Sequence, residues 1–139
     1  MLTFRVDGEP VPQPRPRVAH GRAYVPKSHP IHAYRMTVAI VARTLWYQPL
    51  LKGPVGVDLE FFLARPQRLT WKTRPMVAEW HTGKPDSDNL AKAILDSLLG
   101  VVIEDDDQVC RLSVVKRYAA GGELPCVLVK VFDLARVAA

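Results

Sequence analysis

The amino-acid sequence predicts an α+β fold: one domain over residues 1–139, with a mixed β-sheet, two main helices packed on it and a C-terminal β-hairpin. Three observations lead there. The chain has 139 residues, 48% of them hydrophobic, which is enough for one sizeable core. Its apolar spacing alternates between a period of two and a period near 3.6, giving elements in the order β, α, β, α, β, β. Connections are short, and the last two strands meet through Ala119-Ala120-Gly121-Gly122, a composition suited to a turn between antiparallel strands.

Leu2 to Val6 alternates apolar and other residues as a strand does, and Gly8-Glu9-Pro10 ends it. In Pro12-Gln13-Pro14-Arg15-Pro16-Arg17 three prolines impose an extended backbone, from which Arg15 and Arg17 project. Such a stretch is either a stiff surface loop or a basic arm laid along phosphates. His20, Arg22, Tyr24 and Lys27 close behind it suit the arm. From Ser28 to Tyr47 the pattern is helical: Ser28 caps, Pro30 suits the first turn, and Tyr34, Val38, Val41, Ala42 and Leu45 form an apolar stripe. After the turn Lys52-Gly53-Pro54, the residues Val55, Val57, Leu59, Phe61 and Leu63 mark a strand with one buried face.

Residues 64–83 lack a clean period and read as a long loop that carries Arg65, Arg68, Lys72 and Arg74 with Trp71 and Trp80. The cations are candidate phosphate contacts, while the tryptophans equally suit packing on the core. Val109 to Tyr118 and Cys126 to Leu134 form the expected hairpin, and Ala135 to Ala139 a frayed tail.

The chemistry concentrates between these regions. From Asp86 to Asp107 lie seven of the chain's 14 acids, Asp86, Asp88, Asp96, Glu104, Asp105, Asp106 and Asp107, against one cation, Lys92. Carboxylates gathered this way repel, and either take up protons or demand a counter-charge. Mg²⁺ or Mn²⁺ supplies one, because hard divalent ions prefer oxygen ligands. Pro85 disfavours helix at Lys84, Ser87 or Asp88 caps a helix with the apolar face Leu90, Ala91, Ile94, Leu95 and Leu98, and Gly100 stops it. On that helix Asp88, Lys92 and Asp96 stand one above another, with Asp86 in the turn before them. A short connection then returns the run Asp105 to Asp107 towards the first pair.

Outside residues 86–107 there are 18 cations against 7 acids. An acidic spot in a basic surround suits a polyanion that is held by the surround and acted upon at the spot. Cys110 and Cys126 lie in apolar strand-like stretches without a Cys-x-x-Cys pair and read as reduced core residues of a cytoplasmic protein. The scattered histidines make a zinc site a poor fit. No signal-peptide core and no run of about 20 apolar residues is present, so no membrane association is expected. An EF-hand loop starting at Asp86 fails, because its sixth position is Ala91 and its twelfth Ser97 where glycine and glutamate are needed.

The combination of Lys84-Pro85-Asp86-Ser87-Asp88-Asn89, Lys92 four residues after Asp88, Asp96 beyond it and Asp105-Asp106-Asp107-Gln108-Val109 resembles the RusA family of Holliday junction resolvases. The match is close from Lys84 to Val109 and looser elsewhere. The resemblance implies an α+β homodimer that nicks two strands of a four-way DNA junction with a divalent metal, Mg²⁺ or in its place Mn²⁺. Carried over by motif position, it makes Asp86, Asp88 and Asp106 the metal ligands and Lys92 the assisting lysine, with Asp105 or Asp107 contending for the third place. Asn89 and Asp96 are supporting candidates, and Arg15, Arg17, Arg65, Arg68, Arg74 and Lys84 are candidate DNA contacts. The reading from another class is a non-catalytic DNA-binding or metal-binding module, an inactive relative.

Overall fold

Strand β4 (Val55–Leu63) buries six of its nine residues, and the sheet is arranged so that it has a ladder partner on each side. The computed structural model describes residues 1–71 and 74–136; Lys72 and residues 137–139 of the expected tail lie outside the described residues. Five strands run in the order β1 (Leu2–Asp7), β7 (Cys126–Asp133), β4, β6 (Val109–Tyr118) and β5 (Glu79–Trp80). Strands β4 and β6 are parallel and every other neighbouring pair is antiparallel, so the sheet is mixed, as the sequence predicts. A two-stranded ribbon, β2 (Arg17–Ala19) with β3 (Arg22–Tyr24), stands apart from it.

The expected C-terminal hairpin does not form. β6 and β7 are separated by β4, which pairs with both. The reason lies in burial: Val55, Val57, Leu59, Phe61 and Leu63 are all at most 1% exposed, and an edge position would leave such a strand with open backbone groups. Skipping one strand spans only about 10 Å, which residues 119–125 cover easily. Each fully buried side chain of this size contributes about 1.5–3 kcal/mol, which explains why the central strand prevails over a turn signal.

Helix α1 (Ile31–Leu45) packs on β1 and on α2 (Ser87–Leu98), and α2 packs on β6. α1 starts later than expected, because His29 Nδ1 rather than Ser28 accepts from Ile31 N, at 3.0 Å. Val38 and Ala42 of its expected stripe are buried, whereas Leu45 is half exposed. α2 follows its predicted face, with Leu90, Ala91, Ile94, Leu95 and Leu98 buried. It ends at Leu99 with Gly100 in the left-handed region at φ +75°, where glycine costs least. Of the two cysteines, Cys126 is buried as expected but Cys110 is exposed. The loop after β4 is more ordered than its sequence suggests, with a 3-10 turn at Gln67–Leu69 and the short strand β5.

A parallel β4–β6 pair forces the intervening chain to return to the end of the sheet where β4 began. That return places the acidic run beside the turn preceding β4: Leu51 N donates to Val102 O at 2.7 Å, and Leu51 bridges to Ile103. Among the described residues no helix is long and apolar enough to cross a membrane.

Candidate active site

Three pieces of chain converge on one side of α2. The first is the turn before the helix. Asp86 takes the N-cap position with an extended backbone, and its carboxylate makes no capping bond. It is therefore free to face outward, where Lys84 Nζ lies 3.0 Å from both of its oxygens. The capping expected of Ser87 or Asp88 does not occur; both are helical residues, and Asp88 Oδ1 accepts from Asn89 N at 2.9 Å.

The second piece is the helix itself. Lys92 and Asp96 form the predicted i, i+4 pair at 3.0 Å. The third is the acidic turn, a 3-10 turn at Asp106–Gln108, from which Asp106 Oδ2 accepts from Lys92 Nζ at 2.8 Å. Hydrogen bonds to Asp106 and then to Asp96 push the Lys92 ammonium above the ordinary lysine range. The same bond to Lys92, with a smaller one to Asp105, holds the Asp106 carboxyl below the ordinary aspartate range. Both groups therefore stay charged over a wider span of pH than free side chains do.

The three contenders in the acidic run have different surroundings. Asp105 is the cap of its own turn, accepting from Asp107 N at 3.3 Å, and Asp107 is exposed. Asp106 alone of the three meets Lys92. Gln108 fixes the whole turn: its Oε1 accepts from Glu104 N at 2.7 Å and Asp105 N at 2.9 Å, and its Nε2 donates to Leu51 O at 2.8 Å and Gly53 O at 3.0 Å. On the opposite flank Lys116 Nζ donates to Gly83 O and Pro85 O, each at 2.7 Å. The Asp105–Gln108 half of the first clamp is a local capping box, but the grip of Gln108 on residues more than 50 positions away and of Lys116 on residues more than 30 away is not visible in local sequence.

Asp86, Asp88 and Asp106 are not drawn into a single cluster: among the described residues no three His, Cys, Asp or Glu side chains are arranged to hold a metal ion. Two of the three instead carry a lysine ammonium, Asp86 that of Lys84 and Asp106 that of Lys92. The donor set nevertheless fits a hard cation, since it consists of carboxylates partly open to solvent. Lys84 is 86% exposed, so its pair with Asp86 is a weakly held surface pair.

Two shallow clefts of about 500 Å³ flank Asp86. One is walled by the proline-rich arm, which Gln13 N ties to Asn89 O at 2.9 Å; the other by Thr82, Ser87 and Lys116. Arg15, on the arm, and Lys84 border the first cleft. Arg17 and Arg22 lie on the β2–β3 ribbon, exposed. Arg68 is exposed, and exposed Arg74 stacks on Trp71 at 3.8 Å. Arg65 is more enclosed than the other candidates. Its side chain is only 7% exposed, with Nε bonded to Leu69 O, Nη1 to Val77 O and Ala119 O, and Nη2 lying 3.7 Å from Glu79 Oε1, so it braces the loop. Those carbonyls, brought together by the tertiary fold, capture the guanidinium first.

A small α+β domain that carries carboxylates and a lysine on and beside one helix, in a chain otherwise rich in cations, fits a protein that handles a polyanion such as nucleic acid. The chain matches the family described as Endodeoxyribonuclease RusA over residues 7–131. It belongs to that family, the RusA Holliday junction resolvases. It is also 32% identical over 125 residues to the uncharacterized protein YqaN of Bacillus subtilis strain 168, a match covering 85% of this chain and 88% of the relative.

Proposed function

We propose that this protein is a divalent-metal-dependent endonuclease that resolves four-way DNA junctions, working as a homodimer that nicks two strands. One observation supports the reading most: a single ammonium, Lys92 Nζ, joins Asp96 of the helix and Asp106 of a turn 14 residues away, at 3.0 and 2.8 Å, on the face that also carries Asp88. Pairing across that distance puts a fixed positive charge among carboxylates, an arrangement suited to phosphodiester hydrolysis.

In this reading Asp86, Asp88 and Asp106 hold the ion, Asn89 and Asp96 support them, and Asp105 and Asp107 serve the turn. A bound Mg²⁺ or Mn²⁺ supplies a water of lowered pKa and neutralises charge growing on the phosphoryl oxygens. Lys92, held by Asp96 and Asp106, keeps its third N–H free to orient a phosphoryl oxygen or the attacking water. Arg15, Arg17, Arg68, Arg74 and Lys84 contact the phosphates of the arms and position the strand without reading its bases. A four-way junction presents two strands related by approximate two-fold symmetry, and a two-fold dimer supplies two sites with the matching relation.

The test is a nicking assay on a synthetic four-way junction with and without Mg²⁺, joined to sedimentation of the free protein. Paired nicks that need Mg²⁺, made by a dimer, are expected, with binding that weakens steeply as salt rises. Binding without cleavage at any Mg²⁺ or Mn²⁺ concentration overturns the catalytic reading, and paired cuts from a species that stays monomeric on the junction overturn the dimer.

A further inference from the structure

Asp86 enters the site from a turn, and a turn holds its shape only through the bonds that tie it down. The stretch Gly83 to Pro85 offers two carbonyls, at Gly83 and Pro85, and both accept from the same donor, Lys116 Nζ, at 2.7 Å each. The main chain of Lys116 also takes part, its carbonyl accepting from His81 N at 3.2 Å. Residues 81 to 85 are thus laid along β6 through one residue. Lys84, between the two held carbonyls, is left pointing to Asp86.

Lys116 differs from an ordinary surface lysine in how its charge is used. Lys52 and Lys84 pair with acids and are 79% and 86% exposed. Lys116 is half-buried and, among the described residues, forms no salt bridge. Ordering so long a side chain costs conformational entropy, and its return is two charge-assisted bonds to the backbone of one turn. Pro85 has no N–H with which to hold that turn by itself. The same ammonium borders the cleft beside Asp86 and Ser87.

We propose that Lys116 is a positioning residue for metal binding, fixing the Gly83–Pro85 turn so that the Asp86 carboxylate stands ready for the divalent ion. The inference rests on the metal-dependent reading above. Lys116 touches neither substrate nor ion in it; it acts through the turn, as outer-shell partners of metal ligands do.

The experiment titrates Mn²⁺ alone into the full-length chain, followed by electron paramagnetic resonance, for wild type, Lys116→Met and Lys116→Arg. Lys116→Met keeps bulk and loses the donors, and should weaken Mn²⁺ binding about tenfold, the lower end for outer-shell partners. Lys116→Arg retains donors for both carbonyls and should recover most of the affinity, a rescue that a general packing role would not give. Junction binding without metal should be unchanged in both. Hydrogen exchange on the wild type covers the case in which Lys116→Met fails to fold: peptides spanning His81 to Asn89 should already be protected before Mn²⁺ is added. Free exchange there until the ion arrives, or Lys116→Met binding Mn²⁺ like the wild type, overturns the proposal. So does a loss of junction affinity with Mn²⁺ affinity intact, which would make Lys116 a DNA contact. A wild type that binds no Mn²⁺ and cuts nothing overturns the metal-dependent reading itself, and this inference with it.

Discussion

The two acidic turns that precede and follow α2 in the chain are built alike and held differently. Each presents a carboxylate to a lysine, Asp86 to Lys84 and Asp106 to Lys92, and each is clamped by a long side chain, Lys116 of β6 for the first and Gln108 of the turn itself for the second. The Asp106 turn is fixed by four hydrogen bonds of Gln108 and by a lysine anchored on rigid helix. The Asp86 turn is fixed by the two bonds of Lys116, and its lysine partner sits in the same turn, almost fully in solvent. Both turns are therefore tied to the fold, but one carboxylate faces an anchored lysine and the other an exposed, loosely paired one, a difference that suits the proposed entry of an ion on the Asp86 side.

The largest expected effect comes from removing the charge at either end. Asp86→Asn, Asp88→Asn or Asp106→Asn nearly preserves shape while deleting an anionic ligand. Cleavage should fall by several orders of magnitude while junction binding survives or tightens. The acidic run provides the internal control: Asp107→Asn should cut normally, and the reverse result, Asp106→Asn active and Asp107→Asn dead, breaks the assignment of the third ligand.

Lys92→Ala comes next. The half-exposed Lys92–Asp106 pair adds little to stability, while Asp96, 14% exposed, loses its partner, so a modest fall in melting temperature is expected with junction affinity close to wild type and a cutting rate that drops sharply. A variant that cuts at the wild-type rate removes Lys92 from the chemistry and makes it a bracket between α2 and the acidic turn.

Gln108→Ala tests the anchored side directly. It strips partners from Glu104 N, Asp105 N, Leu51 O and Gly53 O, some of them partly buried, and should destabilise the protein by about 1–3 kcal/mol in denaturant melts. The smallest change is expected from Lys84→Ala, for which the median value of exposed pairs predicts less than about 1 kcal/mol. If Lys84→Ala proves as destabilising as Gln108→Ala, the contrast between an anchored and a loosely paired side is wrong.

Much of this was legible in the sequence wherever the determinants are local. The spacing of Leu90, Ala91, Ile94, Leu95 and Leu98 defines α2, and the positions of Asp88, Lys92 and Asp96 follow from helical geometry alone. The order of the sheet was not legible, because Ala119-Ala120-Gly121-Gly122 carries a turn signal whether the flanking strands pair with each other or with β4 between them. Arg65 looked like its neighbours Arg68 and Arg74, since nothing in a one-dimensional pattern announces that Leu69, Val77 and Ala119 will turn their carbonyls toward it. Lys116 and the Leu51 and Gly53 half of the Gln108 clamp were missed for the same reason: those partners are remote in the chain and become neighbours only through the parallel crossover, whereas the Asp105–Gln108 capping box is local.

The place of β7 bears on when the sheet becomes complete. All the proposed ligands are in the chain by residue 107, yet β1 pairs with β7 and β4 takes β7 as one of its two partners. A polypeptide cut short before Cys126, or still being synthesised at that point, already carries the complete acidic motif. Its first strand then lacks the neighbour it pairs with, and its central strand has one side unmatched. The sheet that carries the site is thus complete only once Cys126–Asp133 has been added to the chain.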